Sequence, residues 1–291
     1  MIRKVVIPAA GFGTRLTPAT KEQPKEMLPI FSKGAHGEIC LEPLLQLVFQ
    51  QLHDAGFREF CFIIGRGKRA IEDHFTKDNG YTAMLKQRGK SEAAEHLENF
   101  YRRLSNSSLT WVNQPEPKGF GDAVLKAQSF VGSENFIVHG GDAYVISKDT
   151  DHLKRLMKVH SELEADATLL IRVVKNLKDH GVVEAEEVAN GIFNVEKAVE
   201  KPEKPTSNLA IMPIYAFKPT ILKALEQTEP GIDGEIQLTD AIQKLVEWSK
   251  KVYAIQLKPD EVRLDIGNPE VYWEALKFSY EYAKTGKLSI S

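Results

Sequence analysis

Apolar residues in this chain first gather in a short run, Val5 to Ala10, and beyond the next turn signals they recur at three- and four-residue spacing. Alternation of these two patterns predicts strands near Lys4–Pro8, Glu59–Gly65, Leu109–Asn113 and Phe136–Gly140. Between and after them it predicts helices near Glu42–Ala55, Lys68–Phe75, Phe120–Phe130 and Thr150–Leu163. Strand-helix-strand order of this kind specifies parallel strands covered by helices, with ligands beyond the carboxyl ends of the strands. Residues 76–108, rich in Lys, Glu and Arg but without Pro, read as a helical insertion on the surface. The second half carries runs at Ala167–Val174, Ile192–Val199, Leu209–Phe217 and Val252–Leu257, for which a mixed sheet is expected. A last helix at about 270–285 holds more aromatic side chains than one buried stripe needs, so it packs into the body or against a second subunit.

Composition narrows the class. With 291 residues, 42% hydrophobic and 27% charged, the chain is an ordinary globular protein with a sizeable core. A net charge of -2 gives no basic field, so nucleic acid is excluded as a partner class. No apolar run approaches the ~18 residues of a membrane span, and Val5–Ala10 is too short for a signal-peptide core; a cytoplasmic protein is expected. Cys40 and Cys61 lack metal-ligand spacing and are expected to be buried free thiols.

The first strand opens into Ala9-Ala10-Gly11-Phe12-Gly13-Thr14-Arg15-Leu16. It is not a Walker loop, which ends in Gly-Lys-Ser/Thr, nor a dinucleotide fingerprint, whose third Gly is replaced by Leu16. A small-residue loop followed by Arg still suits a phosphate, though a plain glycine turn with a solvated Arg15 explains these residues as well.

Extended through Pro18-Ala19-Thr20-Lys21-Glu22-Gln23-Pro24-Lys25-Glu26-Met27-Leu28-Pro29, the segment resembles the signature of the sugar-1-phosphate nucleotidyltransferases, and within them the bacterial-type group that uridylylates glucose-1-phosphate. The resemblance covers nearly the whole chain. It implies a three-layer α/β/α, Rossmann-like fold with a mixed central sheet, forming one catalytic domain over residues 1–291. It also implies UTP and glucose-1-phosphate as substrates, Mg²⁺ as cofactor, and a homodimer or homotetramer. Carried over residue by residue, it assigns Arg15, Lys25 and Lys201 to catalysis, and Ala9, Ala10, Gly11, Gly13, Gln114 and Gly119 to the nucleotide. Gly181, Glu200 and Lys201 go to the sugar phosphate, and Asp142 and Asp265 to the metal.

The residue types make chemical sense in those roles. An amide such as Gln114 offers both donor and acceptor to a pyrimidine edge, and a carboxylate behind Gly140-Gly141 suits a hard cation. The segment Gly234-Glu235-Ile236-Gln237 is expected to be architectural, opening a helix from Leu238. Because a phosphate monoester is largely ionised at neutral pH, its attack on a nucleotide needs no general base, and His139 and His180 are expected to be packing or polar contacts. Three segments depart from the family pattern: the longer loop over residues 32–43, His180 where an aromatic is usual, and Met212-Pro213. They leave dTTP or another sugar phosphate open as substrate, and a non-catalytic nucleotide-sugar sensor is the alternative from another class.

Overall fold

The computed structural model describes residues 2–34 and 36–287. Its first half contains β1 (Lys4–Pro8), β2 (Pro29–Lys33), β3 (Ile39–Pro43), α1 (Leu44–Asp54), β4 (Glu59–Ile64) and α2 (Arg69–His74). The insertion forms α3 (Asn79–Gln87) and α4 (Ser91–Ser105), followed by β5 (Ser108–Asn113), α5 (Phe120–Lys126), α6 (Gln128–Val131), β6 (Phe136–His139), β7 (Ala143–Ile146) and α7 (Asp151–Glu162). The second half adds β8 (Ala167–Val173), β9 (Gly181–Ala189), β10 (Ile192–Glu200), β11 (Leu209–Phe217), α8 (Thr220–Glu226) and α9 (Leu238–Glu247), then β12 (Val252–Gln256), β13 (Val262–Asp265) and α10 (Pro269–Thr285).

One mixed sheet runs β5-β4-β1-β6-β11-β8-β12-β10-β9. The pairs β5/β4, β4/β1 and β1/β6 are parallel, so four carboxyl ends lie side by side at one edge. At β11 the direction reverses, and the rest of the sheet is antiparallel apart from β8/β12. Alternation along β1 and β4 sends Val6, Cys61 and Ile63 to the face covered by α5, α8 and α9. It sends Val5, Ile7, Phe60 and Phe62 to the face covered by α1, α4 and α7. Sheet and helices therefore make three layers, as expected for this fold class.

A third apolar cluster, including Leu28, Ile30, Leu44, Leu264 and Ile266, joins the β2/β3 hairpin and the β7/β13 pair to α10. No helix among the described residues is long and apolar enough to cross a membrane.

Several local expectations are corrected. The first long helix starts at Leu44, not Glu42: Pro43 disfavours helical backbone at the residue before it, and Glu42 pairs with Ile30 as a strand residue. The helix expected over Phe120–Phe130 is two helices, broken where Ala127 turns at φ -80°, ψ 1°. The loop expected over residues 32–43 is largely hairpin, and β7, β9 and β13 are strands that the apolar runs did not mark. The insertion is less superficial than its charge suggests, because Phe100 and Leu104 of α4 are buried against Phe49, Phe75 and their neighbours. Cys61 is buried, but Cys40 is only half-buried, on the hairpin with its thiol against Ser32.

Candidate active site

Beyond β1 the chain turns at Gly13, whose φ of 66° favours glycine, and a short 3-10 turn carries Arg15. A Cβ on Gly13 would lie 3.3 Å from that of Lys25, so the loop closes directly over the next functional segment. Ala9 and Ala10 are buried, whereas Gly11 faces open space. Lys25 stands on a second 3-10 turn opened by Pro24. Beneath it, the buried Glu26 carboxylate accepts a 2.8 Å hydrogen bond from Lys68 at the start of α2 and locks the turn to the body.

Lys25 Nζ lies 2.5 Å from Asp142 Oδ2. Asp142 follows β6 through Gly140-Gly141, and Gly141 N donates to Pro8 O at the end of β1. Burial pushes the Asp142 carboxyl up, but the charge and hydrogen bond of Lys25, with Arg263 behind, outweigh it and hold its pKa at about 2. Conversely, Asp142 raises the Lys25 pKa against the effect of burial, with Glu26 and Asp265 adding to the rise.

Asp265 ends β13 opposite Ala143 in the register, which brings it beside Asp142. Its Oδ1 accepts from Gly267 N at 2.8 Å and its Oδ2 lies 2.6 Å from Arg263. Arg15 reaches the same corner, since a Cβ on Gly267 would meet Asp265 Oδ1 at 3.1 Å and an Arg15 guanidinium nitrogen at 3.4 Å. Four residues distant in sequence thus converge at one end of the sheet.

On one side of this centre, Gln114 leaves β5 buried, its Nε2 donating to Asp122 Oδ2 at 2.7 Å and to Gly119 O at 3.2 Å. Gly119 sits at φ 101°, and a Cβ there would come within 2.7 Å of Ile236 O. Ile236 N donates to Lys118 O and its carbonyl accepts from Gly121 N, so the 234–237 stretch braces this loop, in keeping with its expected architectural part.

On the other side, Glu200 Oε2 accepts a 2.6 Å hydrogen bond from Thr239, and Gly181 pairs opposite Glu200. A Cβ at Gly181 would lie 2.7 Å from Thr239 Oγ1 and 3.0 Å from Glu200 Oε2, which explains the glycine. Burial raises the Glu200 pKa, partly offset by the Thr239 hydrogen bond. Lys201 does not join the Lys25–Asp142 pair: its Nζ faces Asp233 at 3.6 Å. Met212-Pro213 lies against the centre, Pro213 O accepting from Gly140 N at 2.7 Å.

Residue patterns missed Lys68, Thr239, Arg172 and Arg263. Nε of both arginines is buried without a protein partner, and burial lowers the Arg172 pKa, with repulsion from Arg263 adding to the fall. A signal existed for each: Arg172 interrupts the apolar run Thr168–Val173, and Arg263 lies two residues before Asp265, on the same strand face. His139 is buried, with its pKa lowered to about 4, and its Nδ1 engages Gly140 O.

A glycine loop with Arg15 and Lys25 beyond a parallel strand, facing Asp142 and Asp265, is the arrangement of a nucleotide-transferring enzyme class, and the chain belongs to the nucleotidyl transferase family, whose model matches residues 4–281. It is 37% identical over 292 residues to the UTP–glucose-1-phosphate uridylyltransferase of Pseudomonas aeruginosa, covering 99% of both chains. The UTP–glucose-1-phosphate uridylyltransferase 1 of Staphylococcus saprophyticus is 40% identical over 270 residues, 91% of this chain and 88% of that one. Among solved structures, a UDP-glucose pyrophosphorylase complexed with UDP-glucose superposes with a TM-score of 0.83 at 32% identity, over 97% of this chain and 99% of that one.

Proposed function

We propose that this chain transfers the uridylyl group of UTP to glucose-1-phosphate, giving UDP-glucose and pyrophosphate. The observation that carries the reading is the Lys25–Asp142 ion pair, with Asp265 and Arg15 beside it, between the Gln114 loop and the Gly181–Glu200–Thr239 pocket. The relatives' names, and the UDP-glucose held by the superposed pyrophosphorylase, support these substrates.

Each side of the site has a task. With Gln114 Nε2 committed to Asp122 and Gly119, its Oε1 is left to accept the N3–H of uracil; cytosine presents an acceptor there and is disfavoured. The backbone of Ala9, Ala10, Gly11 and Gly13 faces the triphosphate, and Arg15 faces the leaving pyrophosphate. Glu200 and the Gly181 backbone take the sugar, and Lys201 takes its phosphate, with the unpartnered Nε groups of Arg172 and Arg263 adding positive charge nearby.

A phosphate oxygen of glucose-1-phosphate attacks the α-phosphorus; the new P–O bond forms as the bond to the bridging oxygen breaks and pyrophosphate leaves. Like charges ~4 Å apart cost about 4 kcal/mol at an effective dielectric near 20, which is why Lys25 and its neighbours gather here. No general base is required, because the attacking phosphate has a second pKa of about 6. His139, buried and neutral at pH 7, is outside the chemistry.

Asp142 and Asp265 fit Mg²⁺: they are hard oxygen donors on adjacent strand ends, and Asp142 stays ionised down to about pH 2. When bound, Mg²⁺ supplies further neutralisation of the phosphates. The chain forms one catalytic domain that assembles as a homodimer or homotetramer, tested by light scattering, with the exposed Trp273 and Tyr280, two turns apart on one face of α10, as the first surface to alter.

Pyrophosphate release across UTP, dTTP, CTP, ATP and GTP, paired with glucose-, galactose-, mannose- and N-acetylglucosamine-1-phosphate, tests the proposal. A dominant UTP and glucose-1-phosphate signal is expected. Another dominant pair corrects the substrate, and silence overturns the reading.

A further inference from the structure

The hairpin that replaces the expected loop brings together three side chains unrelated to the site above. Cys40 and Glu42, two residues apart on β3, project from one face of that strand, and His96 of α4 meets them. The Cys40 sulfur, a Glu42 carboxylate oxygen and a His96 ring nitrogen all lie within 4.8 Å of one another.

The carboxylate at the centre of the cluster is buried and fixed by its neighbours. Glu42 is 4% exposed, and its Oε1 receives Gln46 Nε2 at 2.5 Å, Gln50 Nε2 at 3.0 Å and His96 Nε2 at 2.8 Å. Among the described residues its only ion-pair partner is that imidazole; no Lys or Arg reaches it. A buried carboxylate held by these hydrogen bonds is a preformed oxygen donor for a cation. Cys40 Sγ lies 3.0 Å from Ser32 Oγ, directly across the hairpin.

We propose that Cys40, Glu42 and His96 form a binding site for a borderline-soft divalent cation of the zinc type, distinct from the Asp142–Asp265 pair. One sulfur, one imidazole nitrogen and one carboxylate oxygen are the donor mix such an ion takes, and three protein ligands leave a fourth position for water. Mg²⁺ is not served by a thiolate. Binding replaces the Cys40 S–H bond by a metal–sulfur bond and sends the proton to solvent, so affinity rises with pH. The bound ion ties β3 to α4, across a separation of 54 residues between Glu42 and His96, and clamps the insertion onto the hairpin that begins just after the Lys25 turn.

The test uses the full-length protein, stripped with a chelator and kept in excess Mg²⁺ so that the two aspartates are not left to zinc. Titration of Zn²⁺ against a competing chromophoric chelator is expected to give one tight site per chain, retained in Asp142→Asn and weakened at least about 100-fold in both Cys40→Ser and His96→Ala. Replacing Zn²⁺ by Co²⁺ is expected to produce a thiolate-to-cobalt charge-transfer band in the wild-type protein and none in Cys40→Ser. Absence of a stoichiometric site, unchanged affinity in Cys40→Ser, or a Co²⁺ spectrum without the thiolate band in the wild type would each overturn the proposal.

Discussion

Removing Lys25 tests the centre of the site most directly, because its worth can be bounded from the structure in two ways. At 2.5 Å from Asp142, the gross attraction at an effective dielectric near 20 is about 7 kcal/mol, before the cost of taking both groups from water. The net value is smaller: burial, opposed by Lys25 and Arg263, leaves the carboxyl at about 2 against an ordinary 3.8, a balance of about 2 kcal/mol at ~1.4 kcal/mol per pKa unit. The sign follows from linkage. Asp142 has a lowered pKa in the folded state, so its contribution is full above about pH 4 and fades as pH falls to about 2. Lys25 is raised above 10.5, so its contribution is full at neutral pH and fades only above that value. Between these limits, urea unfolding of the wild type, Lys25→Met, Asp142→Asn and the double variant should give a favourable coupling of about 2 kcal/mol, flat from about pH 5 to 9. In the same proteins, pyrophosphate release should fall at least about 100-fold in each single variant. A coupling below ~0.5 kcal/mol, or turnover near wild type in Lys25→Met, would refute the reasoning.

Three further outcomes are expected. Gly181→Ala should push Thr239 and Glu200 apart and raise KM for glucose-1-phosphate by about 10-fold or more while leaving KM for UTP within about twofold, read from initial rates. Gly119→Ala, strained both by its φ of 101° and by Ile236 O at 2.7 Å, should cost about 1–3 kcal/mol in chemical denaturation and raise KM for UTP. Lys68→Met should leave Glu26 buried and unpaired, at a cost of about 3–5 kcal/mol at pH 7; burial already raises the Glu26 pKa, so the deficit should shrink as acid neutralises the carboxyl, measured by unfolding at pH 7 and pH 5.

The parallel half of the molecule was legible because its central strands are short, nearly unbroken apolar runs and amphipathic helices occur between them along the chain. Val5–Ile7 and Phe60–Ile64 show this plainly, and both faces of the sheet are covered. Loops at the strand ends were legible through small residues and a following Arg or Asp. The short strands β7 and β13 were not, because four residues carry too little periodicity and their pairing joins segments more than a hundred residues apart. Proline at both ends of the hairpin, Pro29 and Pro43, masked strands whose outer face exposes Ile39 and Leu41. Glu26 with Lys68, and Cys40 with Glu42 and His96, are encounters between separate elements. No spacing rule along the chain marks them, since each depends on how a hairpin or turn docks on a helix.

The reversal of strand direction at β11 divides the site along a seam. On one side, β5, β4, β1 and β6 point the same way and carry the loops with Gln114, Arg15 and Asp142; on the other, β9, β10 and β11 bring Gly181 and Glu200 together. Within the sheet the seam is joined by β6 and β11, with an added clasp from Gly140 N to Pro213 O, and beyond it Ile236 holds the Gly119 loop by two backbone hydrogen bonds. Substitutions around Gly181 and Glu200 therefore reach the other bank through only these few links. A scaffold jointed in this way can exchange the sugar it accepts while inheriting its phosphate chemistry unchanged, and residue 213 is the hinge pin at which such an exchange would first be felt.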